Sequence, residues 1–306
     1  MNLAPTGTLL RANLICLASM VIWSAGLPAA AVLIPVVPPV PLAAMRMVLS
    51  AAILVPIWWL VDGGRVVRGA NWGQGVLVGG VCLGAGSILL IFAQSQTGAV
   101  TVAVITAMSP VVGIGLECLL DQRRISWRLI IGLGLSIAGG LGAYAAAMGD
   151  LALGLGALAA LGSVMAFAWG SRATVTAFPR LTPLGRTAIT VSGAAVVTAI
   201  VLLAHMALGG AAPDWAAFGW PELGALAIFA IGSIVISQLL WIMAVGRLGI
   251  GMSSLHLNAT PFYVMLILFA LGDPWDWWQA LGAAVVGLGV LIAQGLIPWR
   301  AGQARL

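Results

Sequence analysis

Few side chains between Asn13 and Pro298 could do chemistry, and their scarcity is itself informative. His256, Asn258 and Thr260 alternate with apolar residues inside one long apolar run, and Glu117 and His205 are ionisable groups in two other runs. An ionisable group within hydrocarbon costs roughly 2.5–3.5 kcal/mol, which makes each a functional candidate by default. Glu117 lies one turn before Asp121 and is expected to be solvated at an interface. None of these groups makes a catalytic site, because acid–base chemistry needs His, Asp or Glu gathered together. Cys16, Cys82 and Cys118 share no metal-ligand spacing and read as small buried hydrophobes. What remains is binding. His256 and Asn258, joined by Ser87, Ser237 and Gln238 as hydrogen-bonding groups and by the deep Trp23, Trp169 and Trp241 as apolar walls, are read as lining a cavity for a small solute. No cofactor and no metal is expected, and no basic cluster is dense enough for nucleic acid.

The missing charges narrow the solute. A proton-driven exporter of organic cations needs a carboxylate in mid-membrane, and the runs contain none there. A carrier of sugar phosphates needs buried Lys or Arg. Lys is absent, and Arg46 and Arg186 are expected near opposite mouths. A neutral or zwitterionic, largely apolar metabolite fits these constraints.

The elements that must position these residues are membrane spans. Charged residues are 7% of the 306-residue chain and apolar residues 62%, against roughly 25% charged in a soluble domain. A span needs about 20 apolar residues, and runs of that kind fall near 13–34, 42–61, 74–95, 98–120, 129–147, 152–173, 187–208, 222–245, 251–270 and 278–297. The expected fold is an all-α integral membrane protein of ten transmembrane helices forming a single membrane domain over 1–306. Every Arg except Arg46 falls on the side that holds the N-terminus, while Asp150, Asp214, Glu222, Asp273 and Asp276 fall on the other. Basic residues mark the cytoplasmic side, so both termini are expected there.

The chain also repeats itself. Ser87, Ser109-Pro110, Asp121, Trp127 and Gly132 recur as Ser237, Thr260-Pro261, Asp273, Trp277 and Gly282, at offsets of 150 to 152 residues. Pro41-Leu42 with Arg46 resembles Pro183-Leu184 with Arg186. The halves 11–148 and 149–298 would each hold five helices, and an odd number inverts the second half, giving inverted-topology repeats. Such halves can open a shared central site to either side in turn, which an enzyme does not require. Small residues at Gly162, Ala166 and Gly170 would let helices approach closely. Pro110 and Pro261 are expected to kink their spans and serve as hinges, and Arg46 and Arg186 to act at the gates.

Ten helices in two halves, each with a Pro, about eleven residues, then Leu-Leu-Asp (119–121) or Leu-Gly-Asp (271–273), then Trp and a Gly-rich helix, resemble the drug/metabolite transporter superfamily and its EamA-type exporters. The resemblance covers roughly residues 11 to 297. It departs from the usual pattern at Leu120-Asp121 and Gly272-Asp273, where members commonly have Gly-Glu. Among those exporters the chain is most similar to bacterial exporters of amino acids, aromatic ones in particular. The resemblance implies a monomeric multi-pass protein of the bacterial inner membrane whose partners are a small-molecule substrate and the lipid bilayer, working by alternating access. With no mid-membrane carboxylate, obligatory ion coupling is not expected. The competing readings are a proton-coupled exporter of other metabolites or drugs and a polytopic membrane enzyme acting on lipid.

Overall fold

A computed structural model describes residues 6–106, 109–122, 125–143, 154–270, 272, 275 and 277–293. Among them the regular structure is entirely helical. Thr8–Leu33 (α1), Pro39–Asp62 (α2), Trp72–Thr97 (α3), Pro183–Ala207 and Trp220–Leu248 are long and apolar enough to cross a membrane. Between and after them lie Ser109–Leu120 (α4), Trp127–Ala143 (α5) and Leu155–Ala177 (α6), so Pro183–Ala207 is α7 and Trp220–Leu248 is α8. Residues 250–270 (α9) are broken into Ile250–Ser254, a 3₁₀ stretch Leu255–Ala259, and Thr260–Ala270. Trp277–Ala293 is α10. Arg123, Arg124, Asp150, Asp273, Asp276, Arg300 and Arg305 lie outside the described residues.

Local sequence explains the helix ends. Pro39 and Pro183 occupy first-turn positions, where a missing N–H costs nothing. The Thr182 side chain accepts from Gly185 N at 3.1 Å as an N-cap. Gly63 and Gly249 close α2 and α8 at φ +86° and +78°, a conformation that side chains resist.

The helical assignment runs unbroken from Gly86 to Thr106, across the junction expected at 96–97. Pro261 does not interrupt a helix from within: it is the second residue of Thr260–Ala270, and the 3₁₀ stretch precedes it. Pro110 lies in α4, and residues 107 and 108 before it are outside the described residues.

Helices α3 and α8 carry π-helical stretches, Gly80–Ala85 and Ile228–Ile236, and each stretch ends just before the matched serines Ser87 and Ser237 or at the residue preceding them. The matched helices α5 and α10 pack extensively on each other. Small residues set the closest approaches: a Cβ on Gly79 would run into the backbone of Thr190, and one on Gly170 into Cys82. Lipid gives helices no hydrophobic incentive to associate, so such close packing holds the bundle together.

Trp58, near the end of α2, is fully buried and donates to Asp62 Oδ2 at 3.1 Å. One ionisable group is placed differently from the sequence reading. Glu117, expected to be solvated, is buried and its Oε1 accepts from Gly251 N at 2.8 Å. The start of α9 offers it an unpaired backbone N–H, which replaces water as its partner.

Candidate functional site

A pocket lies within the bundle; the space between its walls, including the part open to solvent, is about 560 Å³. Its wall is mostly apolar, with Trp23 from α1, Met47 from α2, Cys82 and Leu83 from the π stretch of α3, Val164 and Phe167 from α6, Ile234 from α8 and Leu257 from α9. Ser87, Thr106, Ser109, Ser163 and Gln238 supply neutral polar groups. Arg46 supplies the charge, and none of the described lining residues is acidic.

Arg46 is 3% exposed. Its Nε donates to the Phe229 carbonyl at 3.1 Å, and its guanidinium carbon lies 3.9 Å from the centre of the Phe229 ring. Together these contacts fix the plane of the fork and leave its other N–H groups for a guest. Arg46, expected just inside an outer mouth, is part of the cavity wall. Arg186 behaves differently. Its donors reach the carbonyls of Phe178 at 2.9 Å and Pro179 at 3.1 Å, just past the end of α6, away from the cavity.

The hydroxyls divide into two groups. Ser163 donates to Gly86 O at 2.8 Å, Ser109 to Thr106 O at 2.6 Å, and Thr106 to Val102 O at 2.7 Å. Ser87 Oγ and Gln238 Nε2 are buried with no partner. A buried donor left unmade costs about 1–3 kcal/mol.

Of the residues read from the sequence as substrate contacts, Trp23, Ser87 and Gln238 line the cavity, while Trp169, Ser237, Trp241, His256 and Asn258 do not. Trp169 packs into an apolar cluster with Met47 and Leu83. Ser237 ties α8 to α1, donating to Ser19 O at 3.0 Å and meeting Ser19 Oγ at 3.2 Å. Trp241 donates to Ser171 Oγ at 2.9 Å and backs the cavity residue Phe167, ring centres 5.4 Å apart. His256 and Asn258 are buried in the 3₁₀ break, where His256 Nδ1 and both amide atoms of Asn258 lack partners. Their neighbour Leu257 is the one facing the cavity. The sequence reading missed Met47, Cys82 and Phe167, which nothing in an apolar run distinguishes from packing residues.

Comparison with known proteins agrees with a membrane carrier architecture. Residues 10–145 match the EamA-like transporter family. A 74-residue segment is 39% identical to the "Uncharacterized transporter YyaM" of Bacillus subtilis (strain 168), and the aligned segment spans 24% of each chain. The chain thus covers about a quarter of that relative's length. A crystal structure of another protein has a TM-score of 0.76 at 20% identity, over 96% of this chain and 99% of the other. At that identity the likeness concerns the fold. Over α1 to α5 the chain is similar to the EamA-like transporter family, a family of transporters and not of enzymes.

Proposed function

We propose that the protein is a membrane transporter that carries a small, largely apolar metabolite bearing a carboxylate, with amino acids, aromatic ones included, inside that class. The observation that carries this reading is Arg46, a guanidinium held in the wall of a cavity whose other described lining residues are uncharged and mostly apolar. A guanidinium pairs two N–H groups with the two oxygens of a carboxylate, and a dry wall strengthens that pairing. This departs from the neutral or zwitterionic class that the sequence suggested, because a carboxylate now has a named partner and a monocarboxylate anion is admitted beside a zwitterion. An ammonium group would find the aromatic rings of Trp23 and Phe167 in the wall, and no acid among the described lining residues.

Alternating access is the mechanism we assign. It is supported by the sequence repeat, by the π stretches of α3 and α8 at matching places, and by the pairing of α5 with α10. The ten-span, inverted-repeat arrangement in a bacterial inner membrane, with both termini cytoplasmic, belongs to the same proposal, as does the outward direction of transport. Pro110 and Pro261, the latter just after the 3₁₀ stretch of α9, are the proposed hinge points.

The test is uptake by purified protein in liposomes. Radiolabelled 3-phenylpropionate and phenylalanine should both enter, and Arg46→Gln should lower entry at least tenfold, since a hydrogen bond to a charged group contributes about 1.5–3 kcal/mol. Entry unaffected by Arg46→Gln removes the proposal.

A further inference from the structure

We infer that the cavity has two polar ends and that its guest carries, besides the carboxylate, a hydrogen-bond acceptor at the far end of an apolar body, received by Gln238. This rests on the carboxylate reading of Arg46. Gln238 is 4% exposed, lines the cavity, and holds its Nε2 without a partner. Native structures rarely leave such a donor unmade, and a ligand is one of the standard reasons. The residue is not needed as a helix tie, because the neighbouring Ser237 makes the bond to Ser19. Ser87 Oγ, on α3, is a second cavity group without a partner.

The spacing of the two ends follows from α8. Arg46 is anchored on Phe229, nine residues before Gln238 on the same helix. At about 1.5 Å per residue this is at most about 13 Å along the axis. Leu83, Leu90, Phe167 and Ile234 are among the apolar wall residues. A phenylpropionate body with a substituent opposite its chain fits within that bound. The donor at Gln238 asks for an oxygen there, and an apolar tip of equal size leaves the amide unpaired.

The experiment compares two carboxylates of matched shape in the liposome assay: 3-(4-acetylphenyl)propionate, with a carbonyl at its tip, and 3-(4-isopropylphenyl)propionate, without one. Apolar burial alone favours the isopropyl compound. The expected result is preference for the acetyl compound by about tenfold or more in initial rate at low concentration, with Gln238→Leu and Gln238→Met each bringing the ratio to one or below. A ratio within a single variant does not depend on how much folded protein is recovered. If the original protein shows no preference, or both variants keep it, the second end is wrong while the Arg46 reading stands. If neither compound enters, the carboxylate reading itself falls and this inference with it.

Discussion

Arg46 and Phe229 touch twice: the side-chain Nε donates to the backbone carbonyl at 3.1 Å, and the guanidinium lies 3.9 Å over the ring of the same residue. One residue of the π stretch of α8 thus holds both the position and the tilt of the cavity's only described charge. Ser50, one turn further along α2, adds a bond to Ala230 O at 3.0 Å, so the two helices are joined at successive carbonyls. An interrupted helical ladder presents carbonyls that a regular α-helix would keep for itself.

Removing that contact should cost stability as well as transport. Arg46→Ala leaves the Phe229 carbonyl without its donor in a dry wall, at about 1–3 kcal/mol. Arg186→Ala should cost less than Arg46→Ala, because its bond to the Pro179 carbonyl is exposed and its bond to the Phe178 carbonyl is only partly buried. Thermal unfolding of the two variants in detergent measures the difference, and equal losses would contradict the burial contrast.

Trp241 should matter to folding and not to substrate choice. Its N–H meets Ser171 Oγ, and both groups are buried. Trp241→Phe and Ser171→Ala are each expected to destabilise by about 1–2 kcal/mol. The double variant should be less than additive, since both remove one bond. The relative uptake of different carboxylates should stay as it was. A changed substrate ranking would place Trp241 in the binding site after all.

Asp121 and Arg172 join the end of α4 to α6 through two hydrogen bonds, one of them 2.8 Å. The bond from Arg172 holds the Asp121 carboxyl below its ordinary range, against a smaller opposing effect of burial. A depressed acid stabilises above its unfolded pKa and loses that contribution as pH falls through the folded one. The pair should therefore contribute evenly at pH 6 and above, and its contribution should fade in acid below about pH 4. It is exposed, so less than about 1 kcal/mol is at stake. Unfolding of Asp121→Asn against the original protein across pH checks this: the gap should be flat near neutrality and close in acid.

The sequence made the helical class and the internal repeat legible, because hydropathy and spacing depend on type and position alone. The role of Arg46 was harder to read. Arg46 follows Pro41 by five residues and Arg186 follows Pro183 by three, and two residues of helix rotate a side chain by about 200°. The apparent match therefore hid opposite faces, one toward the cavity and one toward the end of α6. His256 and Asn258 were chosen as the most polar groups in their run, but the 3₁₀ break turns them away from the cavity and presents Leu257 instead. Such a break depends on packing against α4, α5 and α10, which no local pattern encodes.

The charge of the bound guest decides what drives it. With Arg46 facing the cavity and no acid among the described lining residues, a monocarboxylate moves as an anion, and nothing in the wall obliges a proton to travel with it. A membrane potential acts on one elementary charge with about 2.3 kcal/mol per 100 mV, or roughly fiftyfold in the accumulation ratio. In a cell negative inside, that force pushes a carboxylate outward, so export needs no coupled ion. Liposomes preloaded with 3-phenylpropionate and given an inside-negative potassium diffusion potential should release it faster than liposomes at zero potential, and an inside-positive potential should slow release. The zwitterion phenylalanine should respond little to either. A pH gradient imposed at zero potential should leave the final distribution of the anion unchanged once its passive leak is subtracted. Release that ignores the potential and follows the pH gradient would mean that a proton crosses with the carboxylate, and would return His256, buried beside the cavity residue Leu257, to the mechanism as the group to test.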